Sequence, residues 1–500
     1  MTDDLLAGVE AAAGFAVHGS PASASRRELV AQGIPGLLAG KDPTLWGPAA
    51  EGRALGRLRF LDAYRGGAEL LPLIAELHEE LGDLSNVVLA GPGRAAGAVA
   101  RTLGRPLTVL DDPDPHPVRA LLDDPARLRR TVVVLADEVL GSVFWQAYRD
   151  LGLTAAEAGR HFVLLGGPLP ELEAAGAVTV PAEPGALGAA TLVPAALAGV
   201  DVAELIDQAE LFAPSLARDD DNPALALGVA LAAAERILLV PDGSGLELGE
   251  WAADLLTGGL GLPVTIAGDE PPPAPFRTRG PQDAPGDALT VTYGGSLAPA
   301  AVLADVTGPM VAVNGPLGAH FLAWPYAVAI AAHVRGVDPF RDFPAETADP
   351  GPTTPSFVEG AVEIFTTGPA TDLAGALRGL LADVDDQLRI QAFLDRTGDA
   401  EVARLRPLLS AAGGRPVGFG WGSYHRGGPL HGSFLQITGA VTGDVAVPGQ
   451  ERTLGGLQAA RAGGDRQALA GRGRPLLHLH LTDRPGGIRQ VLTAAEMLRH

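Results

Sequence analysis

The chain contains no cysteine and a single lysine, Lys41, among its 500 residues. The first absence excludes disulfides, thiolate nucleophiles and cysteine-ligated metals. The second leaves one position for a Schiff-base or phosphate-binding lysine. Positive charge is scarce overall, with 37 Lys and Arg against 59 Asp and Glu and a formal net charge of −22. That balance argues against nucleic acid or an anionic membrane as a partner. The acidic opening, Met1–Glu10, has no basic n-region and apolar core, so no signal peptide is expected. Long apolar runs are missing too: Gly, Pro or charge interrupts each within about 18 residues, so no membrane span is expected. Together these absences point to a cytoplasmic protein.

What is present is enough apolar sequence for large cores: 47% of residues are apolar and 19% charged. The length calls for two or three domains. Residues 1–55 read as a helical arm, with a helix over Asp4–Ala16, a polar break at Gly19–Ser25 and a second helix. A helical pattern from Leu58 to Gly82 gives way to short buried strands alternating with helices: strands at Asn86–Ala90, Pro106–Leu110, Thr131–Leu135 and His161–Leu165. Such alternation indicates a parallel sheet covered on both faces. A second α/β stretch follows from Asp201, with strands at Arg236–Val240, Pro263–Ala267, Ala288–Tyr293 and Met310–Val313. A helix over Phe321–Val334 contains Pro325, tolerable in a first turn or at a kink. The Pro- and Asp-rich stretch Asp269–Asp287 reads as an exposed excursion. The C-terminal residues read as strands at Gln387–Phe393, Phe434–Thr438 and Leu476–Leu481, with helices at Asp372–Val384 and Glu401–Ala411.

The most informative stretch is TVVVLADEVLGSVFW, Thr131–Trp145. A loop leaving the carboxyl end of a buried parallel strand is where α/β proteins bind ligands. A phosphate there would call for Gly, Ser, Thr and a nearby cation. The expected loop, Ala136–Ser142, instead places Asp137 beside Glu138. Elsewhere, His478 and His480 lie two apart on a strand and point to one side. Two histidines without a third ligand make no metal site, so they are read as strand-face packing, and neither metal nor cofactor is expected. Trp145, Trp324 and Trp421 read as core.

In sequence order, KDPTLWG (Lys41–Gly47), LDDPDP (Leu110–Pro115), TLVPAALAGVDV (Thr191–Val202), DNPALALGV (Asp221–Val229), GEWAADL (Gly249–Leu255), GVDPF (Gly336–Phe340), the Gly427–Pro429 turn and FLQITG (Phe434–Gly439) resemble segments of the phosphoglucose isomerase family. The resemblance is to its shorter bacterial branch, related to transaldolase–isomerase fusions. It implies an α/β fold of two doubly wound parallel-sheet domains of the sugar-isomerase type, at 56–200 and 201–345. An N-terminal helical arm precedes them, and a C-terminal α/β segment, 346–500, packs on them. The implied chemistry is aldose–ketose isomerisation of glucose 6-phosphate and fructose 6-phosphate, with a glutamate moving a proton through an enediolate.

Carried over residue by residue, the resemblance assigns ligand-binding positions to Gly91, Gly93, Arg94, Asp137, Glu138, Gly141, Ser142 and Glu183. The family's first turn, GMGGSS, is Gly91-Pro92-Gly93-Arg94-Ala95-Ala96 here, with Arg94 as a replacement anion contact. Its phosphate loop, SKSGTT, is Asp137–Ser142, with Glu138 for lysine. The arginine of GGRYS becomes Glu183, and the base glutamate of AESTGK falls on Gly258. The glutamate of WEYATA becomes Pro325. His425 and Arg426 are the best-preserved catalytic candidates. Three readings follow: a non-catalytic partner or regulator, as a homodimer or as a heteromer with an active sugar-phosphate enzyme; a residual isomerase using Arg94, His425 and Arg426; or a site rebuilt for a non-phosphorylated or cationic ligand around Asp137, Glu138 and Glu183.

Overall fold

A computed structural model of the chain describes residues 10–19, 23–166, 169–182, 184–267, 288–295, 309–341, 347–348, 354–383, 387–415, 417–423 and 432–498. Glu183, His425, Arg426 and the whole Asp269–Asp287 excursion lie outside these residues. The described residues of Met1–Asp111, Pro125–Val264 and Pro285–Asp342 cluster into one compact unit. Those of Asp112–Asp124, Thr265–Ala284 and Phe343–His500 form the second.

The expected helix over Asp4–Ala16 gives way, where described, to a hairpin of β1 (Glu10–Ala12) and β2 (Phe15–His18). Ala13 and Gly14 form its two-residue turn with φ of 47° and 77°. Positive φ at both positions is what a tight hairpin requires. The gain is burial of Phe15 and Val17, both fully inside, which outweighs the helix preference of the alanines.

Helix α1 (Ala63–Leu81) leads into the first sheet. The chain then runs β3 (Asn86–Ala90), α2 (Arg94–Thr102), β4 (Thr108–Leu110), α3 (Pro115–Leu122), β5 (Thr131–Leu135), α4 (Glu138–Asp150), β6 (Phe162–Leu165) and β7 (Val178–Val180). The strands order as β4-β3-β5-β6-β7, all parallel. Val132 to Leu135 are buried throughout, as a strand covered on both faces must be. Helix α3 lies in the stretch that clusters with the second unit.

The same unit holds most of a second sheet, built from α5 (Pro223–Ala232), β8 (Arg236–Pro241), α6 (Gly249–Leu260), β9 (Val264–Ile266, of which only Val264 clusters with this unit), β10 (Ala288–Gly294), β11 (Met310–Asn314) and α7 (Leu317–Arg335). Its order is β1-β2-β11-β10-β8-β9. Counted from β8, strands one to four follow the same 2-1-3-4 sequence as the first sheet. The antiparallel β2 takes the place of a fifth parallel strand. Pro325 is the ninth residue of α7 rather than in its first turn. Nearly every α7 side chain from Leu317 to Ala332 is buried, and that packing outweighs the missing backbone donor. With a mean hydropathy of 1.3 the helix is long and apolar enough to cross a membrane, but 83% of that window is buried in the core. Gly228 of α5 permits the close approach, since a Cβ there would sit 2.8 Å from the Ala327 carbonyl oxygen.

The second unit holds a third sheet. It contains β12 (Phe357–Glu359), β13 (Val362–Phe365), α8 (Leu373–Ala382), β14 (Leu388–Phe393), α9 (Leu405–Gly413), β15 (Val417–Trp421), β16 (Ser433–Gly439), α10 (Leu454–Gly471), β17 (Leu476–Leu481) and α11 (Arg484–Met497). The order β12-β13-β17-β16-β14-β15 again reads 2-1-3-4 from β14, followed by an antiparallel hairpin. The C-terminal residues are thus a sheet-forming domain on the same plan. One face of this sheet is aliphatic, with Ile390, Ile437, Leu479 and Ile364 in a single core cluster with α8, α9 and α11. The alternate positions, Gln391, Gln436, Thr438, His478 and His480, make the other face polar.

Candidate functional site

In an open sheet of order 2-1-3-4-5, the strand order reverses between the first and third strands, and the crevice at their carboxyl ends is the expected ligand site. Here that places the turn after β3, Gly91–Arg94, against the turn after β5, Ala136–Glu138. The two touch directly: the Ala136 amide donates to the Ala90 carbonyl at 2.8 Å. Gly91, at φ 130°, leaves room for Ala136, whose Cβ would lie 3.0 Å from a Cβ at position 91. A Cβ at Gly93 would meet Leu89 and Val109 side chains at 2.6 Å, and one at Gly141 would meet Leu135 at 2.6 Å. Positive φ at Gly91 and tight packing at Gly93 and Gly141 therefore account for these glycines without a ligand.

The stretch expected as a loop, Ala136–Ser142, is a loop only at its start, because α4 begins at Glu138. Asp137 is its N-cap, with Oδ1 accepting from the Leu140 amide at 2.9 Å. A helix N-terminus presents free amides and a positive dipole end, the features that attract a phosphate. The chain supplies its own carboxylate there. Glu138 is exposed in the first turn, where its charge favours the dipole. The Ser142 hydroxyl donates to the Val139 carbonyl at 2.8 Å within the helix.

Arg94 opens α2 and reaches α6. Its Nη1 lies 3.2 Å from Glu250 Oε2, and its Nε lies 3.1 Å from Asp254 Oδ2 and 3.5 Å from Asp111 Oδ2. Burial works to lower its pKa, but Asp254, Asp111 and Glu250 together raise it above the ordinary arginine value. Arg101, two turns further along α2, approaches the same Glu250 oxygen at 3.8 Å. The guanidinium expected to meet a ligand anion is thus ringed by carboxylates of its own unit. Asp137 and Glu138, read with Glu183 as a possible cation pocket, are a helix cap and an exposed side chain, and Glu183 is outside the described residues.

The expected catalytic positions His425 and Arg426 lie outside the described residues. Gly258 lies inside α6 and carries no side chain. Lys41 pairs with Asp62. Trp324 is fully buried, donating from Nε1 to His320 Nδ1 at 3.0 Å, and His320 Nε2 meets the Gly294 carbonyl at 3.2 Å. Trp145 and Trp421 are half-buried. No group of three or more His, Asp or Glu able to hold a metal occurs among the described residues. His478 and His480 do point to one side, but rather than only packing they line a cavity with Thr438 and Arg466. The signal was present as strict alternation in Leu-His-Leu-His-Leu, unusual for a strand inside a parallel sheet.

No protein-family model and no curated protein matches the sequence. Among solved structures, a hypothetical protein from Thermus thermophilus is similar at a TM-score of 0.51 and 17% identity, over 65% of this chain and 94% of that one. A glucose-6-phosphate isomerase from Chlamydia trachomatis is similar at 0.47 and 12%, over 68% and 88%. Tagatose-6-phosphate ketose/aldose isomerase from Escherichia coli is similar at 0.31 and 13%, over 58% and 95%. The Thermus likeness shows a shared fold.

Proposed function

We propose that the chain is a phosphoglucose-isomerase-like pseudoenzyme, keeping the α/β scaffold while lacking the aldose–ketose chemistry. It acts as a non-catalytic partner or regulator in cytoplasmic sugar-phosphate metabolism, as a homodimer or a heteromer with an active sugar-phosphate enzyme. The observation that carries this reading is Asp137, whose carboxylate caps α4 where a phosphate would sit. A phosphate dianion would have to displace a bonded carboxylate and approach Glu138 as well. Proton transfer at carbon needs a positioned base and a stabilised enediolate. Position 258 offers no base, and Arg94 is already engaged by carboxylates from Asp111, Glu250 and Asp254.

The test is a coupled isomerase assay on purified protein, alongside thermal unfolding with glucose 6-phosphate, fructose 6-phosphate and 6-phosphogluconate. The expected result is no turnover, with any ligand shift insensitive to changes at Arg94. Turnover lost on Arg94→Gln, His425→Asn or Arg426→Gln would replace the reading with a residual isomerase. Capture of an active isomerase by the tagged chain would identify the partner class.

A further inference from the structure

The third sheet has its own reversal of strand order, between β14 and β16, and a cavity of about 330 Å³ opens at the carboxyl end of those strands. It lies on the polar face, beneath α10. Register places its wall residues side by side: Phe393 opposite Thr438, Thr438 opposite His480, and His480 opposite Glu363. Small residues of α10, Gly455, Ala459 and Ala462, leave the space between helix and sheet that larger side chains would fill. Its volume is at the lower end of the range for small-molecule sites.

The polar groups in this cavity are connected. The Thr438 hydroxyl lies 2.9 Å from both His478 Nε2 and His480 Nδ1. One hydroxyl donates to one imidazole and accepts from the other, so the three groups form a chain of hydrogen bonds between neutral rings. Burial lowers the pKa of both histidines, reinforced for His478 by Arg466 and His480 and opposed for His480 by Glu363. Phe365 stacks on His478 with ring centroids 4.7 Å apart, fixing its plane.

Arg466 is the decisive group. Its Nη1 donates to Gln436 Oε1 at 2.7 Å. Burial lowers its pKa, and the neighbouring Asp465 opposes this only in part, without an ion pair to the guanidinium among the described residues. A half-desolvated cation facing a cavity costs free energy that an incoming anion would recover. Arg94, by contrast, has its anions built in.

We propose that this cavity binds a small hydroxylated anion, a carboxylate or phosphate monoester, with the anionic group on Arg466 and hydroxyls met by His480 and Glu363. The site stands apart from the reading of the first sheet and does not depend on it. Calorimetric titration of the full chain with glycerate, glycerol 3-phosphate and inorganic phosphate tests it, with glycerol as the uncharged control. Saturable binding of glycerate or glycerol 3-phosphate is expected, weakened about tenfold or more by Arg466→Gln, as loss of a charge-assisted contact implies. Glu363→Gln, a near-isosteric change on β13, should weaken the hydroxylated probes relative to inorganic phosphate, which makes no hydroxyl contact there. Which of the two hydroxylated anions binds tighter sorts carboxylate from phosphate. No saturable binding of any anionic probe by the wild-type chain overturns the proposal. So does binding that survives both substitutions, which would place the anion elsewhere, at the first-sheet turn included.

Discussion

The turn after β5 and the crevice after β16 occupy equivalent places in two sheets of the same strand order, yet their charged side chains are held differently. In the first, Gly91 lets backbone close on Ala136, Asp137 fills the helix N-terminus and Arg94 is ringed by carboxylates. In the third, Gly455, Ala459 and Ala462 leave a cavity, and Arg466 faces it with Asp465 only partly offsetting the cost of its burial. Topology fixes where a crevice forms. Side chains decide whether anything enters it, and here the first-sheet position has been satisfied from within.

The sharpest way to break the comparison is through the charges that hold each region. In the second unit, Arg484 lies 3.1 Å from Asp114 and 3.0 Å from Asp399, with all three side chains at most 8% exposed. Gln458, which lines the cavity, donates to the same Asp114 oxygen at 3.1 Å. Burial pushes the Asp114 carboxyl up, but His116, Arg484 and Gln458 outweigh it and hold the pKa at about 2. Asp114→Ala should cost about 3–5 kcal/mol, because it strips a buried arginine of one counter-charge. Arg94→Met should cost clearly less, since its carboxylates regain water. Chemical denaturation of both variants measures the difference. Equal losses would show that the two charge clusters are held alike and remove the contrast.

Acid provides a second, smaller lever that acts on both units. His320 in the first unit is fully buried, and burial lowers its pKa to about 4 despite the hydrogen bond to Gly294. His478 in the second is lowered to about 3, by burial first and then by Arg466 and His480. The unfolded chain binds these protons near pH 6.5, whereas the folded chain does not. Stability is therefore greatest above pH 6.5 and falls as pH drops below it, levelling only near the folded values. At pH 5 each histidine should cost about 2 kcal/mol relative to pH 7.5. His478→Gln should flatten the slope of the second unit's transition alone. An unchanged slope would mean that His478 takes up its proton in the folded state.

The strands carried their own signal. TVVVL, NVVLA and LLHLHL became β5, β3 and β17 at the expected residues because short apolar runs ending in Gly, Ala or Asp leave few alternatives. The 2-1-3-4 order did not show in the sequence, since pairing is set by contacts far apart in the chain. The β1–β2 hairpin was hidden by alanines that favour helix locally. The α4 start was hidden by expecting a ligand loop, although Asp137 three residues before Leu140 is a helix N-cap pattern. At the candidate site, the replaced residues were legible one by one. The fate of Arg94 was not, because its partners Glu250 and Asp254 lie some 160 residues away on α6. Likewise, Arg466 reads as an ordinary surface residue until Gln436 and the cavity stand next to it.

The smallest expected effects lie at the N-terminus of α4, and they separate capping from charge. Asp137→Ala removes the acceptor for the Leu140 amide and should cost about 1 kcal/mol. Asp137→Ser keeps an acceptor without the charge and should cost less than half of that, the remainder being the dipole contribution. Glu138→Gln, at an exposed position, should stay within about 0.5 kcal/mol. Thermal unfolding in phosphate and in an uncharged buffer then tests what the carboxylate excludes. If Asp137→Ser is stabilised by phosphate and the wild-type chain is not, the helix N-terminus still attracts anions and Asp137 alone keeps them out. If neither responds, Gly91 closing on Ala136 has already removed the space, and the exclusion is steric before it is electrostatic.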